Sequence, residues 1–308
     1  RSPRKTCMPE PRRESAVMNL LTALGIAFMR LMGLLPLSWV RALGWVLGWV
    51  LYLGAGRRRT VARTNLMLCF PELSAQEIRG LTAQTFIYFA QAWLDRGWLW
   101  HAPRERVEQR LKIIGNVQAL QNDTPVVVFA PHFHGLDAGG TAISLVVQRR
   151  LASIYSTQSN RGVDAWLLRG RRRFAHWHLI SRSENVKRIV NELRQGALLY
   201  LLPDLDFGRD ASVFAPFFGV PTATVPSLSR FARLGRAQVF TVVTRMTREG
   251  YEVQVLPRWE NFPTDDVQAD TERMNRELEA LVRSMPAQYH WVHKRFKTRP
   301  EGSAALYK

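Results

Sequence analysis

The fold of this chain is predicted best from one segment, Val126-Val-Val-Phe-Ala-Pro-His132-Phe-His134-Gly-Leu-Asp137. Half-way along this segment the sequence changes from apolar residues to partly polar ones. The first half is a continuous apolar run, which is typical of a strand buried on both faces of a parallel sheet. The second half carries two histidines, a glycine and a carboxylate. Since open α/β sheets place their sites at the carboxyl ends of strands, this turn is the first candidate for a functional site.

Similar apolar runs recur along the chain and alternate with longer amphipathic stretches. The predicted strands cover residues 126–130, 152–155, 197–202, 239–243 and 251–256, and the predicted helices between them cover residues 136–150, 163–174, 184–194 and 224–234. A further helix is predicted over 74–100, where Ser74 and Glu77 have the spacing of a capping box. The alternation predicts an α/β fold with a mostly parallel central sheet flanked by helices.

Composition and charge exclude several classes of protein. The chain has 308 residues, of which 46% are hydrophobic, so intrinsic disorder is excluded and the length suits one large or two small domains. Its two cysteines, Cys7 and Cys69, exclude a disulfide framework and a cysteine-based zinc module. With 43 basic against 25 acidic side chains the net charge is +18, which indicates an anionic partner such as nucleic acid, anionic lipid or an acidic protein.

The N-terminal part of the chain differs from the rest. Residues 1–14 are polar and basic and are predicted to be flexible, whereas residues 15–56 carry just two charges, Arg30 and Arg41. We expect 15–56 to be a membrane-anchoring helical segment, although a buried helical hairpin is the alternative. Residues 31–56 are long enough to span a bilayer if Arg41 snorkels, and Pro36 predicts a break. The arginines that follow are typical of a cytoplasmic flank.

His132 is the candidate general base. If it lies in the turn and Asp137 lies in the first turn of the next helix, the carboxylate would orient the imidazole and favour proton transfer. The spacing alone is weak support, since it often arises by chance and a structural histidine gives the same pattern. His134 is the alternative base.

A second cluster follows the predicted strand 197–202, where two carboxylates are separated by one residue. Such a pair suits a metal, a polar ligand or a simple Asx turn. An aromatic, glycine- and proline-rich loop over 212–224 comes next, and it suits either the wall of a lipid-binding site or core packing. The residues of this region predicted to bind substrate are Asp204, Asp206, Arg209, Phe217, Phe218 and Gly219.

A third cluster is the arginine-rich run 169–173. Guanidinium groups match phosphate and carboxylate geometrically, and this run supplies much of the excess charge. We therefore predict an anion-binding role in which Arg169 and Arg173 contact substrate, although most such runs are solvated surfaces. The sequence contains no Gly-x-Ser-x-Gly, Walker A, dinucleotide-binding or His-Glu-x-x-His motif.

Taken together, these blocks resemble those of one protein family, the late acyltransferases of lipid A biosynthesis. The matching blocks are, in order, Ala130-Pro-His132-x4-Asp137-Ala-Gly-Gly, Asp164-Ala-Trp-Leu-Leu-Arg-Gly170-Arg171, Pro203-Asp204-x-Asp206-Phe-Gly208, Ser212-Val-Phe-x-Pro216-Phe-Phe-Gly-Val-Pro221 and His293-Lys-Arg-Phe-Lys-Thr-Arg-Pro300. The resemblance runs from about residue 19 to residue 302. Two departures are Pro131, where the wider superfamily often has asparagine, and Leu205 between the two aspartates.

The resemblance implies a glycerolipid acyltransferase-like fold and a Gram-negative inner-membrane enzyme whose catalytic domain, residues 57–308, is cytoplasmic. It implies transfer of a fatty acyl chain from acyl carrier protein to a hydroxyacyl chain of a Kdo-bearing lipid A precursor, without metal, other cofactor or nucleic acid. His132 and Asp137 correspond to the family's catalytic pair. Arg171 best matches its active-site arginine, with Arg169 or Arg173 as alternatives.

Two other functions are compatible with parts of the sequence. A glycerolipid acyltransferase shares the His-x4-Asp chemistry, but Pro131 and the C-terminal His293 block favour the lipid A family. A non-enzymatic protein that binds nucleic acid or a membrane surface would explain the charge alone, and it would leave both acidic clusters at strand ends without a role.

Overall fold

A seven-stranded, mostly parallel sheet forms the centre of the protein in the computed structural model, which describes residues 16–182 and 186–307. Its strands lie in the order β1-β9-β8-β2-β5-β3-β4, and β6 and β7 form a separate hairpin. The strands are β1 (Leu111–Gly115), β2 (Val126–Phe129), β3 (Leu151–Tyr155), β4 (Trp177–Ser181), β5 (Leu198–Leu201), β6 (Val213–Phe217), β7 (Val220–Thr224), β8 (Gln238–Met246) and β9 (Tyr251–Val255).

Five neighbouring strands, from β8 to β4, are parallel, whereas β9 is antiparallel to β8. The predicted α/β fold is therefore confirmed. The helices are α1 (Ala16–Leu34), α2 (Leu37–Gly54), α3 (Gly56–Cys69), α4 (Ala75–His101), α5 (Arg104–Gln109), α6 (Leu136–Val146), α7 (Arg161–Arg171), α8 (Val186–Arg194), α9 (Ser227–Gly235) and α10 (Val267–Ser284). The predicted segment 1–14 and the start of the helix predicted over 184–194 lie outside the described residues.

The sheet separates two hydrophobic clusters. Strand β2 contributes Val127 and Phe129 to the cluster that includes α8, α9 and α10, and it contributes Val126 and Val128 to the cluster that includes α6. All four side chains are fully buried. This two-sided burial explains why the strand is a continuous apolar run in the sequence rather than an alternating one.

The N-terminal segment is two helices, because the chain breaks at Pro36 between α1 and α2. The predicted break at Pro36 is confirmed. Each helix is long and apolar enough to cross a membrane by length and composition. Their outward faces expose large apolar side chains, among them Leu20, Leu24, Phe28, Trp39, Trp45 and Trp49. The two helices therefore fit the predicted membrane-associated segment.

Both helices also pack on α4. A Cβ atom at Gly48 of α2 would lie 2.5 Å from the Cα of Ile87, so this close approach of the two backbones requires glycine. Arg41 does not snorkel, because its Nη2 lies 3.0 Å from the Oδ2 of the fully buried Asp95 in α4. The ion pair joins the apolar N-terminal segment to the body of the protein.

Two regions differ from the sequence-based prediction. The loop predicted over 212–224 is the hairpin β6–β7, whose turn is formed by Phe218 and Gly219, both with positive φ. Its prolines, which favour loops, face each other across the hairpin as the pair Pro216–Pro221. Strands β1 and β4 lie at the two edges of the sheet, and their partly exposed side chains give no continuous apolar run to detect.

Candidate active site

His132 lies in the turn after β2, and Asp204 lies just beyond the end of β5. Since β2 and β5 are neighbouring parallel strands, with Phe129 opposite Leu201, the two turns meet. The Nδ1 of His132 lies 2.7 Å from the Oδ1 of Asp204, and the backbone N–H of His132 donates to Oδ2 at 3.0 Å. The carboxylate that holds the imidazole is thus that of Asp204.

Asp204 is fully buried and accepts a third hydrogen bond, from the hydroxyl of Tyr289 at 2.9 Å. Burial alone would raise its pKa, but the charge of His132 and the hydrogen bonds from that residue outweigh burial and lower the pKa to about 2. An ionised carboxylate can only accept hydrogen bonds, so the Nδ1 of His132 carries a proton. The Nε2 atom is then the basic nitrogen of the ring.

Asp137 has different partners from those predicted. It lies in the first turn of α6, where its Oδ2 accepts from the Nε of Arg96 at 2.7 Å and its Oδ1 accepts from the Nε of Arg171 at 3.0 Å. Burial raises its pKa, but the two guanidinium groups outweigh this and lower it to about 2. The prediction that Asp137 orients His132 is corrected accordingly, because its helix directs the carboxylate toward α4 and α7.

Arg96 is a residue of this site that the sequence analysis missed. It lies on α4, its side chain is 16% exposed, and its guanidinium lies 4.2 Å from the ring centroid of Trp93. The signal available in the sequence was an adjacent acid–base pair, Asp95 and Arg96, inside a segment rich in tryptophan. A charged residue in such a segment must be paired when it is buried.

A cavity of about 580 Å³ opens over the carboxyl ends of the strands. It brings together three of the predicted residues, His132, Asp137 and Arg171. Most of the remaining wall is apolar and includes Leu136, Trp177, Leu179, Leu202, Phe207 and Phe231. The arrangement therefore combines an imidazole, a guanidinium and an apolar cavity, which suits transfer chemistry on a molecule with a hydrocarbon chain.

The C-terminal segment is hydrogen-bonded to the turns that follow β2 and β5. The backbone N–H of His134 donates to the carbonyl of Gln288 at 2.8 Å, and that of His290 donates to the carbonyl of His132 at 3.0 Å. Asp206 accepts from the backbone N–H and the hydroxyl of Thr298 at 2.7 and 2.8 Å. Asp206, predicted to bind substrate, therefore anchors this segment.

The residues predicted to form the wall of a lipid-binding site, Phe217, Phe218 and Gly219, do not line this cavity. Phe217 is fully buried and packs on Phe296 and Tyr289, with ring centroids 6.0 and 6.3 Å apart. Phe218 contacts Phe70 behind the hairpin turn, and Gly219 has a φ of 73° that the turn itself requires. These residues belong to the core and its edge, whereas the cavity is lined from α6, β4 and α9.

The other predicted arginines are also accounted for. Arg173 donates from Nη1 to the carbonyl of Leu99 at 3.0 Å and so satisfies the C-terminal end of α4. Arg209 donates to the carbonyl of Arg299 at 2.8 Å, and Arg169 is exposed on α7. Of this group, Arg171 is the arginine that lines the cavity.

His134 and Cys69 are the alternatives to His132 as base and nucleophile, and both are poorly suited to transfer chemistry. Burial, together with the charge of Arg96, lowers the pKa of His134 to about 3, which makes this histidine a weak base. Burial raises the pKa of the Cys69 thiol, which disfavours the reactive thiolate.

Comparison with known proteins decides the family. The model of the family described as bacterial lipid A biosynthesis acyltransferase matches residues 10–298. The chain belongs to this family. It is 35% identical over 257 residues to the lipid A biosynthesis palmitoleoyltransferase of Escherichia coli (strain K12), and the match covers 82% of each chain.

Two further relatives cover more of the chain. The lipid A biosynthesis lauroyltransferase of E. coli (strain K12) is 31% identical over 295 residues, which are 93% of this chain and 94% of the relative. A lipid A biosynthesis acyltransferase of Haemophilus influenzae is 32% identical over 285 residues, with 91% and 88% covered. The resemblance found in the sequence is confirmed, and the acyltransferase belongs to lipid A biosynthesis.

Proposed function

We propose that this lipid A acyltransferase moves a fatty acyl chain from acyl carrier protein to a hydroxyacyl chain of a Kdo-bearing lipid A precursor, with His132 as general base. The observation that carries the proposal is the placement of His132 between the buried, ionised Asp204 and an apolar cavity. A hydroxyl nucleophile needs a group that takes its proton, and the Nε2 of an imidazole held in one tautomer can do so.

The steps follow from the tautomer. Nε2 of His132 takes the proton of the acceptor hydroxyl while its oxygen attacks the carbonyl carbon of the thioester. The tetrahedral intermediate then collapses, the carbon–sulfur bond breaks, and the departing thiolate takes the proton back from Nε2. A thioester is already activated, so the reaction as proposed needs neither a metal nor another cofactor.

The guanidinium of Arg171 suits the negative charge that develops on the carbonyl oxygen. Its bond to Asp137 uses one of its five N–H donors and fixes its position beside the cavity. Because Arg96 and Arg171 bring two positive charges to one carboxylate, the cluster is net positive and favours an oxyanion or a phosphate.

Acyl carrier protein as donor and a phosphorylated lipid as acceptor are consistent with the net charge of +18. The exposed apolar faces of α1 and α2 support attachment to the inner membrane, with the catalytic domain on the cytoplasmic side where the donor is found. A reporter fused to the C-terminus tests this placement, since activity confined to the periplasm would contradict it.

The decisive experiment compares acceptors. Purified protein is supplied with acyl carrier protein loaded with a labelled acyl chain and with either the Kdo-bearing precursor or lysophosphatidate. We expect transfer to the first acceptor, confirmed by mass spectrometry of lipid A from cells with and without the protein. Transfer to lysophosphatidate alone would reject the proposed acceptor.

A further inference from the structure

Gly140 lies on the face of α6 that lines the cavity. Leu136, Asp137, Gly140 and Thr141 all border this space, as expected for positions about one helical turn apart. A Cβ atom at Gly140 would have no heavy atom within 4 Å, so it would point into the open cavity. Its neighbour Gly139 differs, because a Cβ atom there would lie 2.8 Å from the hydroxyl of Tyr200.

The wall of the cavity beside Gly140 offers apolar contact even where its residues are polar. The polar groups of this wall donate within the protein: Thr141 Oγ1 to the carbonyl of Asp137 (2.8 Å), Ser153 Oγ to that of Tyr200 (2.9 Å), Tyr200 Oη to that of Leu136 (3.3 Å) and Trp177 Nε1 to Ser144 Oγ (2.7 Å). The neighbouring lining residues Leu136, Leu179 and Leu202 are apolar. Away from Asp137 and Arg171, a hydrocarbon chain fits such a surface, whereas a sugar or phosphate would lose hydrogen bonds to water there.

The same hydrogen bonds hold the wall in place. Trp177 connects β4 to α6 through Ser144, and Tyr200 connects β5 to the start of α6. A wall tied together in this way cannot retreat easily to admit a longer chain. Glycine is also a poor helix former in the interior of a helix such as α6, so its presence is explained by the space that it leaves.

We propose that Gly140 determines the length of the donor acyl chain that the cavity admits. The inference rests on the proposed function, in which the acyl chain enters beside His132. A side chain at residue 140 would occupy the path of the hydrocarbon, and each methylene that loses its burial changes the preference about fourfold.

The test uses Gly140→Ala and Gly140→Leu, with Gly80→Leu as the matched control. Gly80 lies on the exposed face of α4, where a Cβ atom also meets no heavy atom within 4 Å. Acyl carrier proteins loaded with saturated chains of graded length compete for one acceptor, and the product ratio is measured by mass spectrometry. We expect Gly140→Ala to shift the ratio toward shorter chains about fourfold and Gly140→Leu more than tenfold, with no shift for Gly80→Leu.

A second measurement separates this inference from the proposed function. Binding of free saturated fatty acids of graded length is measured for the same folded proteins, whose thermal unfolding is checked first. If the wild-type protein fails to use acyl carrier protein while the Gly140 variants still bind shorter fatty acids, the proposed function fails and the role of Gly140 stands.

Three outcomes would overturn the role of Gly140. The first is an unchanged product ratio and unchanged fatty acid binding in Gly140→Leu. The second is an equal loss of activity with every donor in both Gly140 variants. The third is an unchanged donor ratio with a raised KM for the lipid acceptor, which would assign this wall to a chain of the acceptor.

Discussion

Asp137 and Asp204 are two buried carboxylates at the same edge of the sheet, and their surroundings are opposite in kind. Asp204 accepts hydrogen bonds from an imidazole and a phenol, whereas Asp137 lies between the guanidinium groups of Arg96 and Arg171. Burial would raise the pKa of both, yet their partners lower both to about 2. The two carboxylates thus have the same charge for different reasons.

Because their partners differ, Asp204 and Asp137 have different effects on the site. The Asp204 side determines where a proton sits, because an ionised carboxylate on Nδ1 leaves Nε2 as the base. The Asp137 side determines local charge, because two guanidinium groups outnumber one carboxylate and leave a net positive cluster beside the cavity. The identity of the partner, more than the pKa of the carboxylate, indicates what each pair can do.

The largest effect is expected when His132, the proposed base, is replaced. His132→Ala should lower kcat by ~10⁴-fold, the upper end of what general base catalysis contributes. Initial rates of the purified variant measure this, with His176→Ala, which changes an exposed histidine, as control. Near-normal turnover of His132→Ala would show that another group takes the proton.

Replacing the positioning carboxylate comes next. Asp204→Asn should lower kcat by ~10³-fold, because an amide can donate to Nδ1 and so favours the tautomer whose Nε2 is already protonated. Asp137→Asn should cost less, since both arginines stay near the cavity. A larger loss in Asp137→Asn than in Asp204→Asn, measured by initial rates, would reverse the assignment of tasks.

The charge task is tested at Arg171. If its guanidinium stabilises the oxyanion, Arg171→Ala should lower kcat by ~10²–10³-fold with little change in KM for the lipid. Arg169→Ala, on the exposed side of the same helix, is the control. A raised KM that added salt reproduces in the wild-type protein would instead indicate that Arg171 binds a phosphate.

The smallest expected effect concerns how the free energy of unfolding depends on pH. The pKa of Asp204 is lowered in the folded protein, so its pairing stabilises the fold above about pH 4 and this contribution is lost as the pH falls toward 2. The contribution is about 2 kcal/mol. Urea unfolding of the wild-type protein and of Asp204→Asn should show a gap that narrows between pH 7 and pH 3. An equal gap at both pH values would contradict the coupling.

Local sequence patterns predicted the elements that local physics determines. The apolar runs located β2, β5, β8 and β9, and the capping box predicted at Ser74 is present, with the backbone N–H of Ser74 donating to Glu77 Oε2 at 2.8 Å. The edge strands β1 and β4 and the β6–β7 hairpin were not predicted as strands. Partial exposure of the edge strands and the prolines of the hairpin hide the apolar pattern on which the prediction depends. Arg96 was not predicted as a site residue because its partner, Asp137, is 41 residues away in the sequence.

The sequence by itself determined that His132 follows a buried strand, that Asp137 is near the start of a helix, and that the chain resembles the lipid A acyltransferases. Tertiary structure alone decided which carboxylate holds the imidazole, since His132 and Asp204 are 72 residues apart and meet through the pairing of β2 with β5. It also decided that the cavity is lined by Gly140 rather than by Gly219. The physical reason is that strand and helix propensity act over a few residues, whereas contacts between strand ends depend on the order of strands in the sheet.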